Sequence, residues 1–369
     1  MLVTAQTTAG LGAVSLTRST SGPDRGLSAT TCESAATRRW FAGVLLNDNA
    51  QADLVLANAD TVDAAVDVTI FGPDGRINAA GSRGIVVEAH SARSVPLSVL
   101  ATATGPVTLL VESSAGRVAA TLRQRLWQGT TPLGADWVPP AVAPATELVV
   151  PGVVAGEGER ELVVTNPGDR TASVTVELLG EAGRSAIPGA ESLDLPAGAT
   201  RSVELSPGLA GQPGGLRLTS EQPIVAGVRQ TSSADSASQD PAWSAALPGL
   251  PGEGSWPVPA GSGAAVVLLL SNPAATDAEV SVTVGNELGG EGTTSQQLVP
   301  AGSTIAVPLA SAKTSWLRLR AEDSPVRGVL QVTERLRGVE SLALVPLITP
   351  RGETPEEIPT AVYDPGAGR

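Results

Sequence analysis

The residue types that most often do chemistry are scarce in this chain, and each stands in a context that suggests a structural duty. There is one histidine, His90, and one cysteine, Cys32. Nucleophilic catalysis usually needs a hydroxyl or thiol beside a base. His90 lies in "AHSARSVPL", where the related stretches "AGATRSVEL" and "AGSTIAVPL" have Gly198 and Gly302. Histidine is among the non-glycine residues that visit left-handed backbone, so the position reads as a turn. One thiol and one histidine cannot build a metal site, and Cys32 has no partner thiol within the chain. It reads as a small, partly buried apolar residue, or as half of a pair whose other half lies upstream or on another chain. CxxC pairs, HExxH, calcium loops of the DxDxDG form and Asn-x-Ser/Thr sequons are all missing from the sequence, and neither metal nor cofactor is expected.

Carboxylates are plentiful, and a glycosidase needs only two, held about 5–10 Å apart. Here they fall in turns and outward strand positions, as in "GEGEREL" and "TPEEIP", which suits a solvated surface. The stretch "GEGERE" at 156–161 begins like a phosphate loop but runs into a strand, and a helix N-terminus is what makes such a loop bind. It reads as a hairpin. The net charge of −13 repels phosphate backbones and anionic membrane surfaces, so nucleic acid is excluded as a partner. No enzymatic activity is expected; a catalytic reading would require a cleft between neighbouring domains.

Tryptophan offers the remaining chemistry. Trp127, Trp137, Trp243 and Trp256 follow closing strands or sit in linkers, and Trp40 opens "RRWFAGV". A linker indole commonly plugs a joint between domains, burying roughly 150–250 Å². The functional alternative is a stacking platform for a sugar ring, with Arg38 and Arg39 beside Trp40 to bond an acidic glycan. Trp40, Arg38, Arg39, Trp127, Trp137 and Trp243 are therefore the candidate partner-binding residues.

The elements that must position these side chains repeat three times. "LVLANADTVDAAVDVTIFG", "LVVTNPGDRTASVTVELLG" and "LLLSNPAATDAEVSVTVGN" each carry an apolar run ending at an asparagine, Asn58, Asn166 or Asn272. Valines follow eight and ten residues later: Val66 and Val68, Val174 and Val176, Val280 and Val282. The second matching block is the His90/Gly198/Gly302 turn and its strand; the third is "VAATLRQ", "IVAGVRQ" and "PVRGVLQ". A period of 108 and then 106 residues, from 58 to 166 to 272, is a whole domain and not a solenoid unit. The asparagines read as turn formers at strand ends, since their side chains bond the backbone two residues on.

Within each repeat, six or seven short runs are apolar or alternate with period two, and helical spacing never persists. Only nine of 369 residues are aromatic, while 41 glycines and 29 prolines imply many turns. Seven strands in about 105 residues predict an all-β chain of three tandem immunoglobulin-like β-sandwich domains in an elongated array. Proline-rich joints place the boundaries: an N-terminal strand and linker remnant at 1–30, sandwiches at 31–144, 145–254 and 255–350, and a disordered tail at 351–369. Residues 1–14 lack both the basic n-region and the apolar h-region of a secretory signal. Residues 1–30 look like the closing strand of a preceding copy, which either lies upstream or leaves this strand to dock on a neighbour.

The segments "RGLSATTC", "RRWFAGV" and "PLGADWVPPA" at 132–141 resemble an uncharacterised actinobacterial family, a domain of unknown function, across most of residues 24–350. Its members carry an N-terminal membrane anchor followed by an exported β-rich region. The resemblance implies an extracellular, envelope-facing location, with membrane contact only through an anchor absent from this chain, and it transfers no catalytic residues. The expected role is a non-enzymatic cell-envelope structural or protein-interaction module, whose partner is an envelope protein. The alternative is a carbohydrate-binding module that takes cell-wall glycan on exposed tryptophans.

Overall fold

A computed structural model describes residues 13–235, 238–259, 263–286, 291–309, 314–321 and 325–348. Residues 1–12 of the N-terminal segment and the tail at 351–369 lie outside the described residues. Strand accounts for 61% and helix for 2%, as a core of Val, Leu and Ala favours.

An N-terminal hairpin pairs β1 (Val14–Ser19) with β2 (Gly26–Thr31). The first repeat holds β3 (Arg38–Val44), β4 (Ala50–Asn58), β5 (Ala64–Gly72), β6 (Gly75–Ile77), β7 (Ile85–Val87), β8 (Ser91–Pro96), β9 (Val107–Ala115), β10 (Ala119–Gln128) and β11 (Thr131–Val138). The second holds β12 (Ala145–Val153), β13 (Arg160–Thr165), β14 (Ala172–Gly180), β15 (Gly183–Ala186), β16 (Ser192–Leu195), β17 (Thr200–Glu204), β18 (Gly214–Thr231) and β19 (Pro241–Ala245). The third holds β20 (Glu253–Pro257), β21 (Ala265–Ser271), β22 (Ala278–Gly285), β23 (Thr293–Val299), β24 (Thr304–Pro308), β25 (Trp316–Arg320), β26 (Arg327–Leu336) and β27 (Val339–Pro346). The apolar runs of the middle repeat fall on β12, β13, β14, β16, β17 and the two halves of β18, whose N-terminal half pairs β12 and β14 and whose C-terminal half pairs β13 and β19.

The arrangement of these sheets corrects the expectation of three tandem immunoglobulin-like sandwiches in an elongated array. They form a four-bladed, propeller-like ring with a half-barrel. Three four-stranded sheets share one order: β11-β10-β4-β8, β19-β18-β13-β17 and β27-β26-β21-β24, while the N-terminal hairpin supplies only β2-β1. The innermost strands touch in a closed circuit, β2 to β11 to β19 to β27 and back to β2. The N-terminal hairpin of β1 and β2 therefore docks on the third repeat, and the described array closes on itself.

What forces this closure is burial on both faces. Trp243, from β19 of the second repeat, lies in the core of the first beside Phe41, Leu54 and Leu122. Leu27 and Ala29 of β2 lie in the core of the third beside Leu330 and Val345. Two smaller clusters bridge the repeats: Trp40, Phe71, Ala141, Val225 and Ala245 between first and second, and Val154, Ala242, Leu269, Val329 and Leu344 between second and third. The proline-rich stretch after β11 is no free spacer, because Val138 and Ala141 are themselves buried.

The three asparagines do what their spacing implies. Asn58, Asn166 and Asn272 are 2%, 0% and 0% exposed. Each Oδ1 accepts the backbone N–H two residues on, at Asp60, Gly168 or Ala274, over 3.0–3.1 Å. Each Nδ2 donates across the turn and to the strand 27–29 residues later, at Val87, Leu195 or Val299. His90 is exposed at φ 51°, and Gly198 and Gly302 take φ 68° and 63° at the equivalent turns.

Candidate functional site at the ring centre

The third repeated block, ending in Gln124 and Gln230, builds the inside of the first two repeats, while its third copy ends in the half-buried Gln331. Gln124 and Gln230 are both 0% exposed. Gln124 accepts from Leu45 N–H at 3.0 Å and donates to its carbonyl at 2.7 Å. Gln230 accepts from Val154 N–H and donates to the Gly152 carbonyl and the Ser244 hydroxyl. An amide is suited to this because it carries donor and acceptor together. It satisfies backbone freed where β3 and β12 bulge, at Gly43 and Gly152, which take φ of 82° and 79°. Those bulges receive side chains from the next repeat. The Trp243 indole lies against Gly43 and donates its Nε1–H to the Gly43 carbonyl at 3.0 Å, while Val329 packs on Gly152.

Two aspartates that sequence reading did not single out fasten the innermost strands. Asp136 on β11 accepts the Ala29 N–H of β2 at 3.0 Å. Asp240, just before β19, accepts Leu27 N–H of β2 at 2.9 Å and Leu342 N–H of β27 at 3.0 Å through Oδ2. One carboxylate thus ties three blades. Its Oδ1 is buried without a partner among the described residues. Gly26 and Gly134 crowd it at φ 105° and 125°, and a Cβ at position 134 would stand 2.7 Å from Oδ1. Arg25 holds the approach by donating to the carbonyls of Pro132 and Gln239. Burial pushes both carboxyls well above the usual aspartate range; backbone hydrogen bonds oppose this in each, and the Asp240 charge raises Asp136 further. Such shifts often mark active sites; here Asp136 Oδ1 and Asp240 Oδ2 accept backbone N–H groups, while Asp240 Oδ1 has no partner among the described residues. Only the exposed flank of a sequence alternation is visible as surface charge, and "GADW" and "SQDPAW" gave no sign that their aspartates face inward.

The candidate residues scatter around this hub. Trp40 is 7% exposed and packs on Phe71 with centroids 5.6 Å apart, and Trp243 is 1% exposed; neither has a face to offer a sugar or another partner. Arg38 projects outward and pairs with Glu112. Arg39 bonds the Ser34 carbonyl at 2.9 Å and lies 3.8 Å from Glu33. Trp127 is half-buried, and the Leu126–Trp127 step carries a β-bulge. Cys32 is exposed, its thiol pushed up by burial and by Glu33. The "GEGERE" stretch is not a hairpin: it joins β12 and β13, each of which pairs with β18 and not with the other. Its Arg160 is buried and donates to four backbone carbonyls, with its pKa lowered to about 10 by that burial.

Trp137 is the exception. It is half-buried, with the Arg123 guanidinium 5.5 Å from its ring centroid. It borders a shallow cleft lined also by Thr31, Glu33, Pro139 and Leu344, where β2, β11 and β27 meet. Among the described residues, no group of three or more His, Cys, Asp or Glu could hold a metal, and no helix is long and apolar enough to cross a membrane.

The profile of a family of unknown function, DUF5719, matches residues 2–310, and the chain belongs to that family. No curated protein and no solved structure matches it.

Proposed function

We propose that this member of a family of unknown function is a non-enzymatic protein-interaction module of the cell envelope, and that its partner seats on the cleft beside Trp137. The observation that carries the reading is the contrast between two equivalent indoles. Trp137 opposes Arg123 across the β10–β11 hairpin as Trp243 opposes Arg229 across β18–β19. Trp243 is enclosed by a neighbouring repeat, while Trp137 keeps part of its surface open on a cleft. Half-open aromatic side chains on rigid strands are the usual anchors of protein interfaces. The surroundings support a binding role, because Asp136 and Asp240 at the ring centre accept backbone N–H groups that tie the innermost strands together. The envelope-facing location is supported by the resemblance of "RGLSATTC" and "RRWFAGV" to exported proteins.

Crosslinking in intact cells tests this reading. The wild-type protein is expected to capture an envelope protein, and Trp137→Ala to lose it while retaining the native circular dichroism spectrum. Capture unchanged by Trp137→Ala would remove Trp137 from the site, and capture of wall glycan alone would replace the protein partner by a polysaccharide.

A further inference from the structure

The N-terminal hairpin is a blade of two strands in a ring whose other blades have four. In each of those, the second strand carries a third on its outer side: β10 pairs β4, β18 pairs β13 and β26 pairs β21, all antiparallel. β1 stands in the position of β10, β18 and β26, paired with β2 on one side and with no strand on the other among the described residues. Cys32 N–H donates to the Ala13 carbonyl at 2.9 Å. Antiparallel alternation then turns the backbone groups of Ser15, Thr17 and Ser19 toward β2 and those of Val14, Leu16 and Arg18 outward. This edge lacks two of the usual guards. It carries no proline, and its one charge, Arg18, is matched by Glu334 at 2.7 Å.

The second observation is independent of hydrogen-bond pairing. Each repeat-to-repeat joint seats a side chain of one unit against a bulged glycine of the unit before it: Trp243 on Gly43, Val329 on Gly152. Trp137 stands opposite Arg123 as Trp243 stands opposite Arg229, and its Nε1–H has no acceptor among the described residues. Trp137 lies on β11, which packs against β2, the strand that β1 pairs with.

Resting on the interaction-module reading, we infer that the β1 edge and Trp137 together form the docking surface for one more unit of this same repeat. That unit adds an antiparallel strand of the β4, β13 and β21 type to β1. Its bulged glycine strand covers Trp137, and its carbonyl accepts the indole Nε1–H. Recognition is by strand addition: backbone pairing gives affinity and alternating apolar side chains give register.

A synthetic peptide of residues 40–58, "WFAGVLLNDNAQADLVLAN", contains both a bulged glycine strand and a third strand and serves as the probe. Added to the intact protein, it is expected to slow amide exchange at Val14, Leu16 and Arg18 by on the order of tenfold and to shift the Trp137 Nε1–H resonance, leaving that of Trp243 unmoved. A scrambled peptide should do neither, and Arg18→Pro, which removes an outward N–H at an exposed position, should weaken the protection. Equal protection by the scrambled sequence, an unmoved Trp137 resonance, or protection that appears only with self-association in sedimentation would each overturn the inference. If cells yield a Trp137-dependent partner while the peptide does not bind, the interaction reading stands and the partner is of another class.

Discussion

Replacing Trp243 by alanine tests whether the repeats are fused through their cores. The indole is 1% exposed and donates to the Gly43 carbonyl at 3.0 Å. A buried tryptophan removes roughly 150–250 Å² from water, which at about 25 cal/mol/Å² amounts to about 4–6 kcal/mol. Measured losses for Trp→Ala in cores are about 3–5 kcal/mol, so a loss of about 4 kcal/mol is expected. Trp243→Phe keeps most of the apolar area and loses the hydrogen bond, and should cost about 1–2 kcal/mol. The wall of the cavity belongs to the first repeat and the side chain to the second. Urea denaturation followed by circular dichroism gives the size of the effect, and native-state hydrogen exchange gives its reach. Protection should fall at Leu54 and Leu122 of the first repeat as well as along β19. A loss below about 1 kcal/mol, or faster exchange confined to the second repeat, would refute the claim that one repeat seals the core of another.

Asn272→Ala should cost about 1–3 kcal/mol in urea titration, because the buried Val299 carbonyl loses its donor and the turn loses its bond to the Thr276 carbonyl; a loss under about 0.5 kcal/mol would make the Asn turn incidental. His90→Gly should raise stability by about 0.5–1 kcal/mol, by relieving a left-handed position that its counterparts fill with glycine, and a drop in midpoint would contradict it. The Asp136 and Asp240 carboxyls are raised in the folded chain, so the native state binds more protons than the unfolded one above the ordinary aspartate range. Their contribution is therefore most favourable in acid and is lost as pH rises toward the folded values. Urea midpoints at pH 5 and pH 8 should fall more steeply for the wild type than for Asp136→Asn/Asp240→Asn, and parallel slopes would show that neither group titrates in that window.

The strands were legible in the sequence because period-two burial is written into residues such as Val174, Val176 and Leu178 along β14, which alternate with exposed or half-exposed neighbours. The turns were legible because asparagine and left-handed histidine have few other uses at strand ends. Packing between repeats was not. A strand with one buried face reads the same whether its sheet belongs to a free-standing sandwich or to a blade, so β4, β5 and β14 could not distinguish the two. The signal lay in the runs that do not alternate. β19, "PAWSA", is buried at every position, and so is "LALVP" at the end of β27. Continuous burial in a short strand means both faces are covered, but the proline beside each run reads as linker punctuation instead.

Closure of the ring brings a cost that the site chemistry then explains. Four innermost strands meet without a ladder between them, so β2 must satisfy its inward N–H groups by other means. Backbone carbonyls of a neighbouring strand would require pairing, which would flatten the ring into a sheet. A carboxylate avoids this, because its oxygens can accept from two strands at once and impose no register. Asp240 does so for Leu27 and Leu342, and the positive-φ glycines at 26 and 134 leave room for it. Gly134→Ala should therefore loosen the N-terminal hairpin first, seen as faster amide exchange at Leu27 and Ala29 before any change at Val163 in β13. Simultaneous loss of protection at all three would mean that the carboxylate hub is not what holds the hairpin in place.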